Sequence, residues 1–155
     1  MSRVQLALNV TDIDAAVAFY SKLFGAEPAK LRPGYANFAI VDPPLKLVLI
    51  EDATEKPGSL NHLGVEVEST DEVDAAQARL AQAGLATSVE DQVACCYAVQ
   101  DKVWVEGPGG EPWEIYTVLA DAEMPAGSLR SSKPGGAACC ATGPDLAVAG
   151  STSCC

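Results

Sequence analysis

Apolar and polar positions follow one pattern twice over residues 1–119 and lose it beyond. Gln5-Leu6-Ala7-Leu8-Asn9-Val10 and His62-Leu63-Gly64-Val65-Glu66-Val67 each read as a short strand. Each strand runs into an acidic helix start, Thr11-Asp12 in one copy and Thr70-Asp71 in the other, where carboxylates favour the helix dipole. Ile13, Val17, Tyr20 and Phe24 recur at helical spacing, and Val73, Ala76, Leu80 and Ala83 do the same. Gly25 and Gly84 close the two helices. Three strand-like runs follow each helix. They lie near Ala29–Leu31, Tyr35–Val41 and Lys46–Ile50 in the first copy, and near Thr87–Val93, Tyr97–Val105 and Trp113–Val118 in the second. Gly and Pro punctuate them at Pro33-Gly34, Pro43-Pro44, Pro57-Gly58 and Gly107-Pro108.

The reading is βαβββ repeated: an α+β domain over 1–119, with modules at about 3–52 and 60–119. Two antiparallel four-stranded sheets, side by side, would form an incomplete barrel with helices outside and a cleft inside. Residues 120–155 are dominated by Ala, Gly, Ser and Pro. Such a segment cannot bury enough apolar surface to offset its ordering entropy, so it is expected to be a flexible, disordered tail.

Charge narrows the partners. Ten Lys and Arg stand against 21 Asp and Glu, a formal net charge of −11. That balance disfavours nucleic acid and anionic membrane surfaces. No apolar run reaches the length of a membrane span, and the N-terminus does not read as a secretory signal, so a cytoplasmic protein is expected.

The six cysteines form adjacent pairs, Cys95-Cys96, Cys139-Cys140 and Cys154-Cys155. Neighbours of this kind bridge each other only through a strained ring, and a reducing compartment keeps them as dithiols. No CxxC is available for a zinc ribbon or a thioredoxin motif. A vicinal dithiol suits a soft centre that takes two sulfurs at once, such as trivalent arsenic. Successive strand residues point to opposite faces, so Cys95 and Cys96 must lie in a turn or loop to chelate one atom. The segment from Gln92 to Tyr97 would then form a flap beside the cleft.

A paired βαβββ repeat, with Gln5 and His62 opening the copies and Glu114 in the final strand, resembles the vicinal oxygen chelate superfamily. The stretches Asn61 to Val67 and Gly107 to Tyr116 carry most of the likeness. Within that group, Cys95-Cys96-Tyr97 and the later cysteine pairs resemble the bacterial C–As lyases. The resemblance implies an Fe(II) site, a dithiol anchor and a need for dioxygen. It implies Gln5, His62 and Glu114 as metal ligands, with open positions left on the metal. It also implies that Cys95 and Cys96 bind the substrate and take part in its chemistry. Tyr97 and Trp113 are candidates to wall its organic group.

His62 is the only histidine in the chain. Gln5 stands where a histidine is usual and is the weaker donor. The run from Lys46 to Ile50 lacks the carboxylate of a four-ligand site. Glu66 and Glu68 read as solvated carboxylates, and Lys102 as a solvated lysine. The expected reaction is Fe(II)- and dioxygen-dependent cleavage of the carbon–arsenic bond in trivalent organoarsenicals, with release of arsenite. The alternatives are a non-catalytic thiol-based metalloid sequesterer and a drug-binding resistance protein. The sequence leaves open the organic group, the metal held in vivo, the role of the tail cysteines and self-association, although the resembled fold often forms homodimers.

Overall fold

The computed structural model describes residues 2–123. In chain order the elements are β1 (Arg3–Val10), α1 (Ile13–Phe24), β2 (Lys30–Arg32), β3 (Tyr35–Ile40), β4 (Leu45–Glu51), β5 (Leu60–Glu66), α2 (Thr70–Gln82), β6 (Thr87–Cys95), β7 (Ala98–Glu106) and β8 (Pro112–Asp121). The repeat is therefore present with every expected element. The last strand continues to Asp121, past the expected boundary at 119. The tail cysteines Cys139, Cys140, Cys154 and Cys155, and the expected disorder around them, lie outside the described residues.

The strands form one eight-stranded sheet in the order β2-β3-β4-β1-β5-β8-β7-β6. This corrects the expectation of two separate antiparallel sheets. After β1 the helix reverses the chain, so β2 runs with β1, β3 against it and β4 with it again. β4 therefore pairs parallel to β1, and β8 parallel to β5 in the same way. The modules meet where β1 pairs antiparallel with β5. The sheet curls into a half-barrel, and its two ends approach through side chains. Lys30 Nζ donates to the Tyr97 carbonyl at 2.9 Å and pairs with Asp121, while Tyr97 Oη donates to the Pro33 carbonyl at 3.2 Å.

Both helices cover the convex face. Ile13, Val17, Tyr20 and Phe24 of α1 pack on Leu6, Leu8, Phe38, Leu47 and Leu49. Val73 and Leu80 of α2 pack on Val103, Val105 and Ile115. Each large apolar side chain fully buried here contributes roughly 1.5–3 kcal/mol. Ala83 is exposed, one turn beyond the buried stripe. The caps shift slightly from expectation. Asp12 accepts from the Ala15 amide at 2.9 Å, but the cap of α2 is Ser69, which accepts from the Glu72 amide at 3.3 Å. Among the described residues no helix is long and apolar enough to cross a membrane.

Candidate metal centre and dithiol

Strand alternation leaves a second face for chemistry, the concave one. Gln5 of β1 lies opposite Gly64 of β5, and Gly64 lies opposite Glu114 of β8. His62 shares the face with Gly64, two residues earlier on β5. All three expected ligands are buried there, at 4%, 7% and 3% exposure for Gln5, His62 and Glu114. The gap between the flanking strands exists because Gly64 has no side chain. A Cβ there would meet Glu114 Cγ at 3.1 Å and Gln5 Cβ at 3.2 Å.

The three side chains converge. Gln5 Nε2 is 2.7 Å from Glu114 Oε1 and 2.9 Å from His62 Nε2, and His62 Nε2 is 3.3 Å from Glu114 Oε1. Each is held from behind. The β1–β5 register shifts at Asn61, which lies between the paired residues His62 and Leu60. Such a bulge re-aims a side chain. Asn61 Oδ1 then sits 2.7 Å from His62 Nδ1, and Asn61 Nδ2 donates to Asn9 Oδ1 at 2.7 Å. With its amide donating to Asn9, Asn61 offers an oxygen to the ring, so Nδ1 carries the proton and the Nε2 lone pair faces the site.

Glu114 Oε2 accepts from Lys102 Nζ at 2.8 Å. Lys102 is 1% exposed, so the solvated lysine expected from sequence is instead a buried cation. Burial pushes the Glu114 carboxyl up, but the Lys102 ammonium outweighs it and holds the group well below the usual carboxylate range. Lys102 itself is raised, since the charges of Glu114 and the thiols outweigh its burial. Glu114 therefore keeps one oxygen for Lys102 and an ionised one for the site.

Glu66 corrects a second expectation. It lies half-buried on the concave face, paired with Lys46 at 3.1 Å and Arg3 at 3.1 Å, and accepts from Tyr116 Oη at 2.9 Å. Glu68 is exposed, as expected.

Cys95 ends β6, and Cys96 and Tyr97 form the two-residue turn into β7, with Cys95 opposite Ala98. Both turn residues have positive φ, 54° for Cys96 and 62° for Tyr97. That is the twist a tight hairpin favours, here adopted without glycine. The left-handed backbone turns Cys96 back toward its neighbour, and the two Sγ atoms stand 3.3 Å apart. The hydrogen bond from Cys96 pulls the Cys95 thiol down to about 6 against its burial, helped by Lys102 and opposed by Glu114. Cys96 is pushed well above the ordinary thiol value by the same bond and by burial. The pair is thus one thiolate and one thiol, within the electrostatic reach of Lys102 and Glu114.

The aromatic residues differ from expectation. Trp113 lies opposite Leu63 and Val105, on the face away from its neighbour Glu114. The aromatic beside the site is Trp104, which meets the His62 ring edge-on at 5.5 Å. Tyr97 is buried with Ala7, Tyr35, Val48 and Ile50, its ring 5.1 Å from that of Tyr35, and so pins the hairpin tip. Alternation from Glu114 along β8 and across to β7 was the available signal for Lys102 and Trp104. The bulge at Asn61 left no such signal.

Among the described residues no three His, Cys, Asp or Glu side chains cluster as a metal site, so a cation here depends on the Gln5 amide. The donor set fits one. It offers an imidazole lone pair, a carboxylate oxygen and an amide. The Gln5 amide reaches within 2.9 Å of His62 Nε2 and 2.7 Å of Glu114 Oε1, close enough for all three side chains to serve one ion. In module one, Val48 pairs with Ala7 as Glu114 pairs with Gly64, two residues beyond Gln5 and His62 respectively. An apolar residue thus stands where a fourth ligand would.

Comparison with known proteins agrees with this architecture. The family model described as Glyoxalase/Bleomycin resistance protein/Dioxygenase superfamily matches residues 3–115. A trivalent organoarsenical cleaving enzyme of Thermomonospora curvata is 62% identical over 140 residues, covering 90% of this chain and 89% of its own. The cadmium-induced protein CadI of Mycobacterium tuberculosis is 68% identical over 123 residues, covering 79% of this chain and 80% of its own. Among solved structures, homoprotocatechuate 2,3-dioxygenase from Arthrobacter globiformis superimposes with a TM-score of 0.55 at 23% identity. That match spans 77% of this chain and 36% of the dioxygenase. The Mn(II)-bound glyoxalase from Novosphingobium aromaticivorans gives 0.57 at 22% identity, spanning 81% of this chain and 43% of the glyoxalase. At these identities the two structures show the shared fold alone.

Proposed function

The chain belongs to the Glyoxalase/Bleomycin resistance protein/Dioxygenase superfamily, and from that premise we propose that it cleaves the carbon–arsenic bond of trivalent organoarsenicals, using Fe(II) and dioxygen. The observation that carries this reading is the pairing of two devices on one concave face. A vicinal dithiol with Sγ atoms 3.3 Å apart shares that face with three converging donors that suit a divalent ion. The 62% identical relative, named for organoarsenical cleavage, supports the substrate class.

Gln5, His62 and Glu114 would hold Fe(II), which when bound supplies activation of dioxygen. The remaining work falls to this chain. The Cys95 thiolate attacks arsenic first and the Cys96 thiol follows, so two As–S bonds replace two As–O bonds, and both hydroxyls leave as water, one taking the Cys96 proton and the other a proton from solvent. Two sulfur attachments fix the arsenic-bearing carbon toward the metal, which gives the advantage of a held reactant. Lys102 keeps Glu114 ionised. Trp104, beside His62, borders the place of the organic group, in the role first assigned to Trp113. Methyl and aromatic arsenites are both within this class.

The test is anaerobic Fe(II) reconstitution followed by phenylarsenite or methylarsenite, with and without dioxygen, and separation of the arsenic species. Oxygen-dependent arsenite release, absent in Cys95→Ser and His62→Ala, is expected. Tight organoarsenical binding without release would overturn the lyase and leave a thiol-based sequestering protein. That second reading draws on the dithiol, which is complete without the three donors, and on the relative named as cadmium-induced.

A further inference from the structure

Behind Gln5 one proton is shared between two acceptors. Tyr116 Oη lies 2.5 Å from Gln5 Oε1 and 2.9 Å from Glu66 Oε2. A phenol has a single O–H to give. On its other side Gln5 turns its NH2 group to His62 Nε2 and Glu114 Oε1, the two atoms a cation would also neutralise. In this arrangement the amide nitrogen stands in for the cation, and the amide oxygen faces away from the site.

A cation reverses those preferences. It repels the NH2 group and attracts the amide oxygen, and a half-turn of the amide exchanges the two ends. The NH2 group then needs an acceptor behind it. Tyr116 supplies one, because its O–H then points wholly to Glu66, a carboxylate held by Arg3 and Lys46, and leaves a lone pair for the NH2 group. A hydroxyl donates in one state and accepts in the other, so Tyr116 satisfies Gln5 in both. The ring is fixed for this role, with the Lys46 and Lys102 ammonium groups 4.9 Å and 5.9 Å from its centroid.

We propose that Tyr116 and Glu66 form the positioning pair that lets the Gln5 amide turn over and present its oxygen to the metal. The inference rests on the metal centre proposed above and explains how a glutamine serves where a histidine is usual. It also makes Gln5 the ligand most sensitive to what lies behind it, as outer partners of metal ligands commonly are.

The experiment is anaerobic Fe(II) titration against a colorimetric chelator, on the full chain and on Tyr116→Phe, Gln5→Glu and the double variant. A carboxylate presents an oxygen in either orientation, so Gln5→Glu removes the need for a turn. Tyr116→Phe is expected to weaken Fe(II) binding about tenfold in the native background. In the Gln5→Glu background the loss should stay below about twofold. Equal losses in both backgrounds, or none in the native one, would overturn the pair while leaving the metal centre in place. No measurable Fe(II) binding by the native chain would overturn the metal centre and the inference with it. Thermal melts of the metal-free variants report folding. If Tyr116→Phe fails to fold, Glu66→Gln takes its place, with about a threefold loss expected in the native background alone.

Discussion

The two modules share one chain path and divide the labour. In module one the concave face carries Ala7, Tyr35, Val48 and Ile50, an apolar cluster that packs. In module two the matching strands carry His62, Lys102, Trp104 and Glu114. The hairpin tips differ in the same way. Module one turns at Pro33-Gly34, where Gly34 has φ 68°, and module two turns at Cys96-Tyr97. From the first copy Gln5 joins the constellation of the second, while Asn9, Arg3 and Lys46 support it from behind through Asn61 and Glu66. A repeated fold thus lets one copy act mainly as buttress while the other carries most of the buried charge and the strained turn. The stability of the first offsets the cost of the second.

The sharpest way to break this comparison is at the thiol tip. Cys95→Ser should lower organoarsenical turnover at least about a hundredfold, since the reacting carbon loses its anchor. Its Fe(II) affinity should stay near that of the native chain. Loss of Fe(II) binding in Cys95→Ser would mean that tip and donor cluster are one site rather than two joined devices.

The next largest effect concerns the buried ion pair. Glu114→Gln leaves Lys102 buried beside a neutral amide, and truncating one partner of such a pair costs about 3–5 kcal/mol. Chemical denaturation should show that loss, together with loss of Fe(II) binding. Adding Lys102→Met should restore much of the stability and none of the metal affinity. If stability does not return, packing rather than charge holds this part of module two.

How far this division could be read beforehand depends on the kind of signal. The βαβββ repeat and both helix stripes follow from periodicity, while the grouping of Gln5, His62 and Glu114 was what the family resemblance implied. Lys102 was misjudged because a lysine following Asp101 in a strand looks solvated until Glu114 is found within hydrogen-bonding reach of it. Glu66 was misjudged for the opposite reason. Alternation already set it on the His62 face, but its cationic partners Arg3 and Lys46 come from β1 and β4. The single mixed sheet was legible in the count of chain reversals. The bulge at Asn61 and the left-handed turn at Cys96 and Tyr97 were not, since neither Asn-His nor Cys-Tyr is a usual sequence for such geometry.

The dithiol also makes a graded prediction. Arsenic is attacked by thiolate, and Cys95 is drawn down to about 6. The association rate of phenylarsenite should rise about tenfold per pH unit below that value and level off above it. Stopped-flow quenching of tryptophan fluorescence would follow it. Cys96→Ala removes the S–H donor and should move the midpoint upward, leaving Lys102 to favour the thiolate against burial and Glu114. A midpoint near the free-thiol value in the native chain would contradict the pairing.

The smallest effect isolates the role of shape. Gly64→Ala adds one methyl group at a backbone position without positive φ, so any consequence comes from crowding rather than strain. That methyl would stand 3.1 Å from Glu114 Cγ and 3.2 Å from Gln5 Cβ, and one of them must give way by a few tenths of an ångström. Overpacking of this kind costs about 1–3 kcal/mol, and the donors, unlike the sheet, can relax by parting. Fe(II) affinity should therefore fall severalfold while the melting temperature drops only by about 2–4 °C per kcal/mol lost. Val48→Ala, at the matching place in module one, should do the reverse, lowering stability through a cavity and leaving Fe(II) affinity alone. If both substitutions weaken the metal site alike, the first copy is part of the chemistry rather than its support.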